Sequence, residues 1–533
     1  MNIKRSLALS VMVVAGLSMT ACFSDDSTLG VDKIGTIEVV TGMEDTTYVA
    51  TAFIGDVLEI KPEVVTSLDE SELSYEWTLL SDKTGTLDEN GDTIQPQVIG
   101  NSKYLAYTVE TPAGQYQIRY AITVKDSGYS LITATDLSVV TEFSQGFYIL
   151  KETTDGNTDM DMYSASGNLS QNIISNTTGA ALSGKPYSIT PNYGQFYINP
   201  DNDQMDATNT MVVITENKQM GVYRTTDMLQ IFDQNSILFD GAAEGVQPYL
   251  LNRTGWYSQY FTSEGMRYGM TASMGSPTSG KYGFVSDVVH GSKFFICDYI
   301  NSLGGFFIWD EINKDILWSN YNMYFEPIVN SEYGEEYSKG LTDWECLSIG
   351  YSAMDYVANF ILNNTKTGAR RLYLASGGMM ASSLNALVEL DPASHMAKAT
   401  AYSTNFYQAK YIYCVDGGKL YACNLNSDTY AEIDVNLSGV GSGEEITYVS
   451  NQFFQSPWGE YSVNAFDYLV VGTQKGSEYH IYMYEMVGGI PSGDPVIKFS
   501  GEGKVAGVRY INQGYSENDL GMMISANMYT VVD

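Results

Sequence analysis

Two stretches near the start of the chain alternate apolar and polar positions with a period of two, the mark of strands buried on one face. Across Gln115–Val124, the residues Tyr116, Ile118, Tyr120, Ile122 and Val124 share a face, and Asp126-Ser127-Gly128 supplies a turn. Across Ser74–Leu79, the inward positions are Tyr75, Trp77 and Leu79. Together they predict a compact all-β sandwich of immunoglobulin-like type over residues 34–143, with Trp77 on its central strand. The inter-sheet cysteine pair of such sandwiches is missing, so Trp77 is expected to pack against aliphatic side chains.

From Gln145 to residue 533, helical periodicity gives way to turn signals, spaced roughly every 8 to 15 residues. One pattern recurs: an apolar strand, a polar turn and a second short strand. Met220–Arg224 with Met228–Phe232 and Gly305–Asp310 with Asp315–Trp318 show it, and Ala386–Asp391, Lys419–Asn424 and His480–Glu485 fit the same template. Read as hairpins of successive blades, the copies are spaced by 85, 81, 33 and 61 residues at Val222, Phe307, Val388, Tyr421 and Tyr482, so two intervals would each hide a blade. Residues 145–533 number 389, or about 56 for each of seven blades, within the range of propeller repeats carrying loop insertions. The prediction is a β-propeller of seven blades, a ring that leaves few sheet edges exposed.

Composition narrows the function. Among 533 residues, 63 acidic side chains oppose 28 basic ones, a formal charge of -35 that repels nucleic acid. Three histidines (His290, His395, His480) and five cysteines, with neither CxxC nor HExxH spacing, offer little for zinc or a histidine triad. Cys297, Cys346, Cys414 and Cys423 stand in apolar or aromatic contexts suited to buried thiols, and the two-residue turn after Asp416 pairs Cys414 with Tyr421 rather than with Cys423. No GxSxG elbow or P-loop occurs, and Gly439–Glu445 is a glycine-rich loop without lysine. The stretch Asp155–Asp161 puts oxygen-bearing side chains at alternate positions, yet it lacks the central Gly and closing Glu of an EF-hand and reads as a solvated turn, as does Asp201–Asp206. Carboxylate pairs such as Asp343 with Glu345, or Glu335 with Glu336, read as ordinary surface. Neither a metal, a cofactor nor a catalytic residue is expected.

The N-terminus carries an address. Lys4 and Arg5 precede the apolar run Leu7–Leu17, too short to span a bilayer and suited to a secretory leader over residues 1–21. The following Met19-Thr20-Ala21-Cys22 resembles the bacterial lipobox, although Met19 replaces the usual Leu, and implies lipidation of Cys22. Phe23-Ser24-Asp25-Asp26 resembles the export signal of Bacteroidetes surface lipoproteins, with residues 22–33 as an acidic tether. The resemblance implies an outer-membrane protein held by lipid alone and facing outward.

The Tyr75-x-Trp77 strand and the strand ending Val124-Lys125-Asp126 look like a PKD-type module. Gly146–Asp159 and Phe499–Ile511 are similar to stretches of the PKD-like family of Bacteroidetes lipoproteins. That resemblance implies an accessory role beside a SusC/SusD-type importer, with oligosaccharide or peptide bound and not cleaved. The alternatives are a structural subunit with no ligand of its own and a surface glycoside hydrolase or lyase. Tyr and Trp suit ligand capture. Trp256, Trp318, Trp344 and Trp458 lie near predicted turns or strand ends, where propellers display ligand surfaces, and each also fits blade core; Trp458 and Trp256, with the most loop-like neighbours, are the candidate contacts.

Overall fold

Both alternating stretches fold as strands, at Leu73–Ser81 and Gly114–Val124. The computed structural model describes residues 36–512 apart from 42–48, 82–83, 88–89, 201–202, 242–243, 255–256, 271–279, 284, 298–305, 320–324, 330–338, 378–381, 428 and 455–465. Contacts group the described residues into two units, one within 1–48, 58–107 and 117–135, the other within 49–57, 108–116 and 136–533.

In the first unit, Leu73–Ser81 lies between Gln97–Gly100 and Gly114–Val124. Trp77, Ile118, Tyr120 and Ile122 are fully buried. Trp77 does not pack on aliphatics alone: its ring stacks on Tyr120 at 4.1 Å and 19°. Its Nε1 donates to the Ser102 carbonyl at 2.8 Å, as a buried indole requires. The two rings meet because both project from one face of adjacent strands, a pairing that neither strand's own pattern could announce.

The second unit contains a parallel pairing of Val49–Phe53 with Asp136–Val140 and then a series of antiparallel sheets, seven among the described residues. Sheet 1 runs, from its outer edge inward, Leu169–Ser170, Thr158–Ser164, Gly146–Glu152 and Lys504–Ile511. Sheets 2 to 6 follow chain order: Pro186–Asn199 to Gln230–Asp233, Pro248–Thr254 to Val285–Asp287, Phe295–Cys297 to Phe325–Pro327, Trp344–Ser352 to Ser383–Glu389, and Ala401–Thr404 to Glu432–Asp434. Sheet 7 comprises Glu445–Phe454, Phe466–Lys475 and Glu478–Val487, the last pairing with both Ile490–Pro491 and Ile497–Glu502. Two short helices interrupt the pattern, α1 (Ile173–Thr178) and α2 (His395–Lys398).

The sheets close into a ring, which makes the unit a β-propeller. Every successive pair shares one buried apolar cluster, from sheets 1 and 2 around Tyr148, Ile189 and Tyr223 to sheets 6 and 7 around Tyr413, Val449 and Tyr482. Sheets 7 and 1 share another, around Val470, Ile481, Ile149 and Val508. The closing strand Lys504–Ile511 pairs with Gly146–Glu152, from Gly146 opposite Ile511 to Glu152 opposite Lys504. Gly507 permits the close approach to sheet 2, since a Cβ there would come within 2.9 Å of the Ile189 Cγ2.

The recurrent hairpins differ from the expected equivalence. Met220–Arg224 is the third strand of sheet 2, Phe306–Asp310 the second of sheet 4, Ser383–Glu389 the fourth of sheet 5, and Lys419–Asn424 and Glu478–Val487 are third strands. The spacings therefore compare unlike positions, and only the first interval passes over a whole sheet. The reason is physical: each sheet is packed on both faces, so second and third strands become similar continuous apolar runs.

Candidate functional site

Of the alternate carboxylates of Asp155–Asp161, Asp155 lies in an exposed turn as expected, whereas the other two do not. Asp159 and Asp161 sit on Thr158–Ser164 and are buried. Asp159 serves the start of α1: its Oδ1 accepts from the Ile174 amide at 3.1 Å and its Oδ2 from the Ser175 hydroxyl at 2.6 Å. Asp161 Oδ1 stands 2.6 Å from Lys151 Nζ and accepts from the Asn172 amide at 2.8 Å, while Oδ2 accepts from the Tyr479 hydroxyl at 2.5 Å. Burial first, and then the Asp161 charge, push the Tyr479 phenol far above its ordinary range. Asp159 is thus committed to α1, and Asp161 to tying sheet 1 to sheet 7 through Tyr479.

A different arrangement surrounds one mouth of the ring. Neighbouring inner strands run in the same sense, as two paired ties show: Ser188 Oγ donates to Tyr249 O at 3.2 Å and Thr190 Oγ1 to Leu251 O at 2.9 Å. Their C-terminal ends therefore share a mouth, where each first strand turns into its second. There Phe454, Phe466 and Tyr510 cluster with centroids 4.8 to 5.9 Å apart, and Phe147 joins them 5.0 Å from Tyr510. Phe406 and Tyr407 flank Phe453 at 4.9 and 5.6 Å, and Tyr407 is 55% exposed. Amides thread this aromatic rim. Asn451 Oδ1 accepts from the Phe406 amide at 2.7 Å, and its Nδ2 donates to Asp467 Oδ1 at 2.7 Å. Gln408 Nε2 donates to the other Asp467 oxygen at 2.8 Å. Burial raises the Asp467 carboxyl despite these two donors.

The exposed Tyr407 ring, the half-buried Phe453 and Phe466 rings, amides with directional donors and acceptors, and one half-buried carboxyl make a surface suited to binding polar organic molecules. The chain has a partial family match, over its N-terminal third.

Residues 22–186 match the model of the PKD-like family.

That stretch takes in the first unit's strands and three strands of sheet 1. No curated protein matches the chain by sequence. Among solved structures, a quinoprotein alcohol dehydrogenase-like protein from Bacteroides thetaiotaomicron is 15% identical, with 89% of this chain and 99% of that chain covered and a TM-score of 0.39. AztD from Citrobacter koseri, in its apo form, is 10% identical over 82% of this chain and 97% of that one, at a TM-score of 0.34. The WD40 β-propeller domain of Doa1 is 8% identical over 62% and 90%, at 0.30. Scores this low carry no argument about function, and the propeller assignment rests on the shared clusters and the closing strand.

Of the residues singled out from sequence, Cys22, Ser24, Asp25, Asp26, Trp256, Trp458, Glu335 and Glu336 lie outside the described residues. In chain order, Trp256 falls between Pro248–Thr254 and Tyr257–Thr262, and Trp458 between Glu445–Phe454 and Phe466–Lys475. Trp318 and Trp344 are buried in the cluster between sheets 4 and 5. Asp343 is paired with Lys366 at 2.7 Å and Glu345 accepts from Asn363 at 2.8 Å. Cys414 lies opposite Tyr421 and is a buried free thiol, as are Cys346 and Cys423. Among the described residues no group of three His, Cys, Asp or Glu could hold a metal, and no helix is long and apolar enough to cross a membrane. Sequence reading missed the rim of Tyr407, Phe453 and Phe466, although the aromatic pairs Phe406-Tyr407 and Phe453-Phe454 beside breaks in the strand pattern were a visible signal.

Proposed function

We propose that the chain is a lipid-anchored surface protein whose ring mouth captures oligosaccharide or peptide for a SusC/SusD-type outer-membrane importer, without breaking bonds. The aromatic rim carries this reading: Tyr407 is exposed against a half-buried Phe453, with the Gln408 and Asn451 amides alongside. Such rings pack on sugar faces or peptide side chains at low entropic cost, and the amides orient what they touch. The anchor is Cys22, where each buried methylene of an acyl chain contributes about 0.8 kcal/mol of membrane affinity. Ser24, Asp25 and Asp26 direct the protein outward, and the importer partnership follows from the PKD-like resemblance.

Affinity measurements with the purified chain against glycan and peptide panels test the capture. At least one ligand should bind, and Tyr407→Ala combined with Phe453→Ala should weaken it about tenfold or more. Copurification with a tagged importer but silence across both panels would instead favour the purely structural subunit. Cys22→Ser should shift the protein from the membrane fraction to the soluble one.

Asp467 favours a second reading. A carboxyl raised by burial at a ligand mouth is suited to donating a proton, as in a glycoside hydrolase or lyase. Turnover of a panel substrate that disappears in Asp467→Asn would establish it.

A further inference from the structure

The glycine-rich loop Gly439–Glu445, which carries no lysine, holds a carboxylate of its own. Glu444 immediately precedes the first strand of sheet 7, so it lies at the end of the ring away from the mouth. Its side chain is 6% exposed. A Cβ at Gly441 would collide with Glu444 Oε1, so the loop needs its glycine there. Oε2 accepts from the Thr473 hydroxyl at 2.5 Å and from the Tyr482 hydroxyl at 2.9 Å, and Oε1 lies 3.1 Å from the same phenol.

The neighbouring cations leave this carboxylate without a close partner. His480 Nε2 stands 3.6 Å from Oε1, but His480 Nδ1 is 3.2 Å from the Tyr479 carbonyl, which can only accept. Nδ1 therefore carries the proton of the neutral ring, and Nε2 offers the carboxylate none. Lys498 Nζ is turned to the Gly439 carbonyl at 3.3 Å and lies 4.8 Å over the Tyr482 ring. Among the described residues no lysine or arginine forms an ion pair with Glu444. Burial opposes its charge, yet the Thr473 and Tyr482 hydroxyls lead the groups that hold the carboxyl below its ordinary range. It is therefore ionised at neutral pH.

Space adjoins the anion on two sides. One cavity, of about 360 Å³, has His480, Lys498 and Ser500 on its walls and repels a cation. The other, of about 260 Å³, lies between sheets 6 and 7, where Leu420, Val435, Leu437, Val440 and Ile446 give it apolar walls. Lys419 and Asp434 also border it, but both are exposed and their charges cancel, so Glu444 sets its sign. Apolar walls beside an ionised carboxylate call for a cation on an aliphatic stem. A carboxylate accepts about four hydrogen bonds, more than two hydroxyls supply. Both oxygens already face a hydroxyl, so a point-like ammonium suits them better than a forked guanidinium. The volume falls below the roughly 300–1,000 Å³ of sites for drug-sized ligands, which selects a small one.

We infer that the cleft between sheets 6 and 7 binds an aliphatic primary amine, its ammonium on Glu444 and its stem against Leu420, Val440 and Ile446. The site is separate from the mouth and does not depend on capture there. Pentylamine presents this chemistry as a free amine and N-acetyl-lysine amide as a peptide side chain. N-acetyl-norleucine amide carries the stem without the charge, and butylguanidine replaces the ammonium by a fork. Each is titrated calorimetrically into the purified full chain and its variants.

At least one amine should bind about tenfold or more tightly than the norleucine amide, and more weakly as salt rises. Binding of pentylamine alone would assign the cleft to free amines, and binding of the lysine amide to peptide side chains. Glu444→Gln should remove the preference for charge. Val440→Trp, which fills the cleft and leaves Glu444 in place, should abolish binding. The comparison of amines with the norleucine amide on the unaltered chain stands even if a variant fails to fold. An affinity for both amines no higher than for the norleucine amide would overturn the inference. So would amine binding unchanged in Glu444→Gln, tighter binding of butylguanidine than of pentylamine, or silence with all four probes. None of these results bears on the mouth, which the glycan and peptide panels test by themselves.

Discussion

The seam between sheets 4 and 5 and the seam between sheets 7 and 1 face the same packing problem and answer it with different residues. At the first, Phe307, Trp309, Ile316 and Trp318 meet Trp344, Ile349, Phe360 and Tyr373, and Phe307 stands edge-on to Phe360 at 5.9 Å. The second has its own apolar cluster but adds the buried Lys151, Asp161 and Tyr479. Apolar burial is non-directional and tolerates sliding. An ion pair with a hydrogen-bonded third member accepts one alignment and costs desolvation to achieve it. The chain joins sheets 4 and 5, and it joins sheet 7 to the closing strand of sheet 1, but Asp161 and Tyr479 are 318 residues apart. Here the directional contacts tie strands that stand far apart in the chain.

The largest test removes the polar device. Asp161→Ala leaves Lys151 charged and buried, and should cost about 3–5 kcal/mol in equilibrium denaturation. A loss no greater than that of an ordinary core substitution would erase the contrast between the seams. Tyr479→Phe removes one donor from Asp161 and should cost about 1–3 kcal/mol by the same measurement. In the apolar seam, Ile316→Val, at a residue fully buried, should cost about 0.5–1.5 kcal/mol and leave closure unaffected. Replacing the whole device, with Lys151→Met, Asp161→Leu and Tyr479→Phe together, should be near neutral in stability. If the device specifies alignment, that triple variant should nevertheless form more domain-swapped dimer on refolding, as read by size-exclusion chromatography.

The smallest effect concerns Glu444 at the edge of sheet 7. Burial alone would raise its carboxyl, but the hydroxyls of Thr473 and Tyr482 and the charges of His480 and Lys498 outweigh it and hold the carboxyl below its ordinary range. Its contribution is therefore present above the unfolded carboxylate pKa and lost as pH falls through the lower folded value. Glu444→Gln should flatten that acid limb of the stability profile slightly, while the unaltered chain weakens across it.

Much of the fold was legible because the first unit's strands are buried on one face: Tyr75, Trp77 and Leu79, or Ile118, Tyr120 and Ile122, announce their strands by alternation. Propeller strands such as Phe306–Asp310 are buried on both faces and carry no such phase. Their existence could be read, but not their place within a sheet. Residues 146–159 and 499–511 stood out as related ends, yet their pairing became visible only with the ring closed. The candidate site was less legible. The fate of Asp161 depends on a tyrosine in the last sheet, 318 residues away, which no local pattern announces.

The pairing of residues 504–511 with 146–152 also sets a timetable for biosynthesis. A nascent chain made from its N-terminus must leave the inner edge of its first sheet bare until the strands of sheets 2 to 7 have been translated. Prematurely terminated products keep that edge, with its unpaired amides and carbonyls, open to proteases and to one another. Closure of the circle thus waits on residues 504–511, and a chain stopped before them cannot shut its ring.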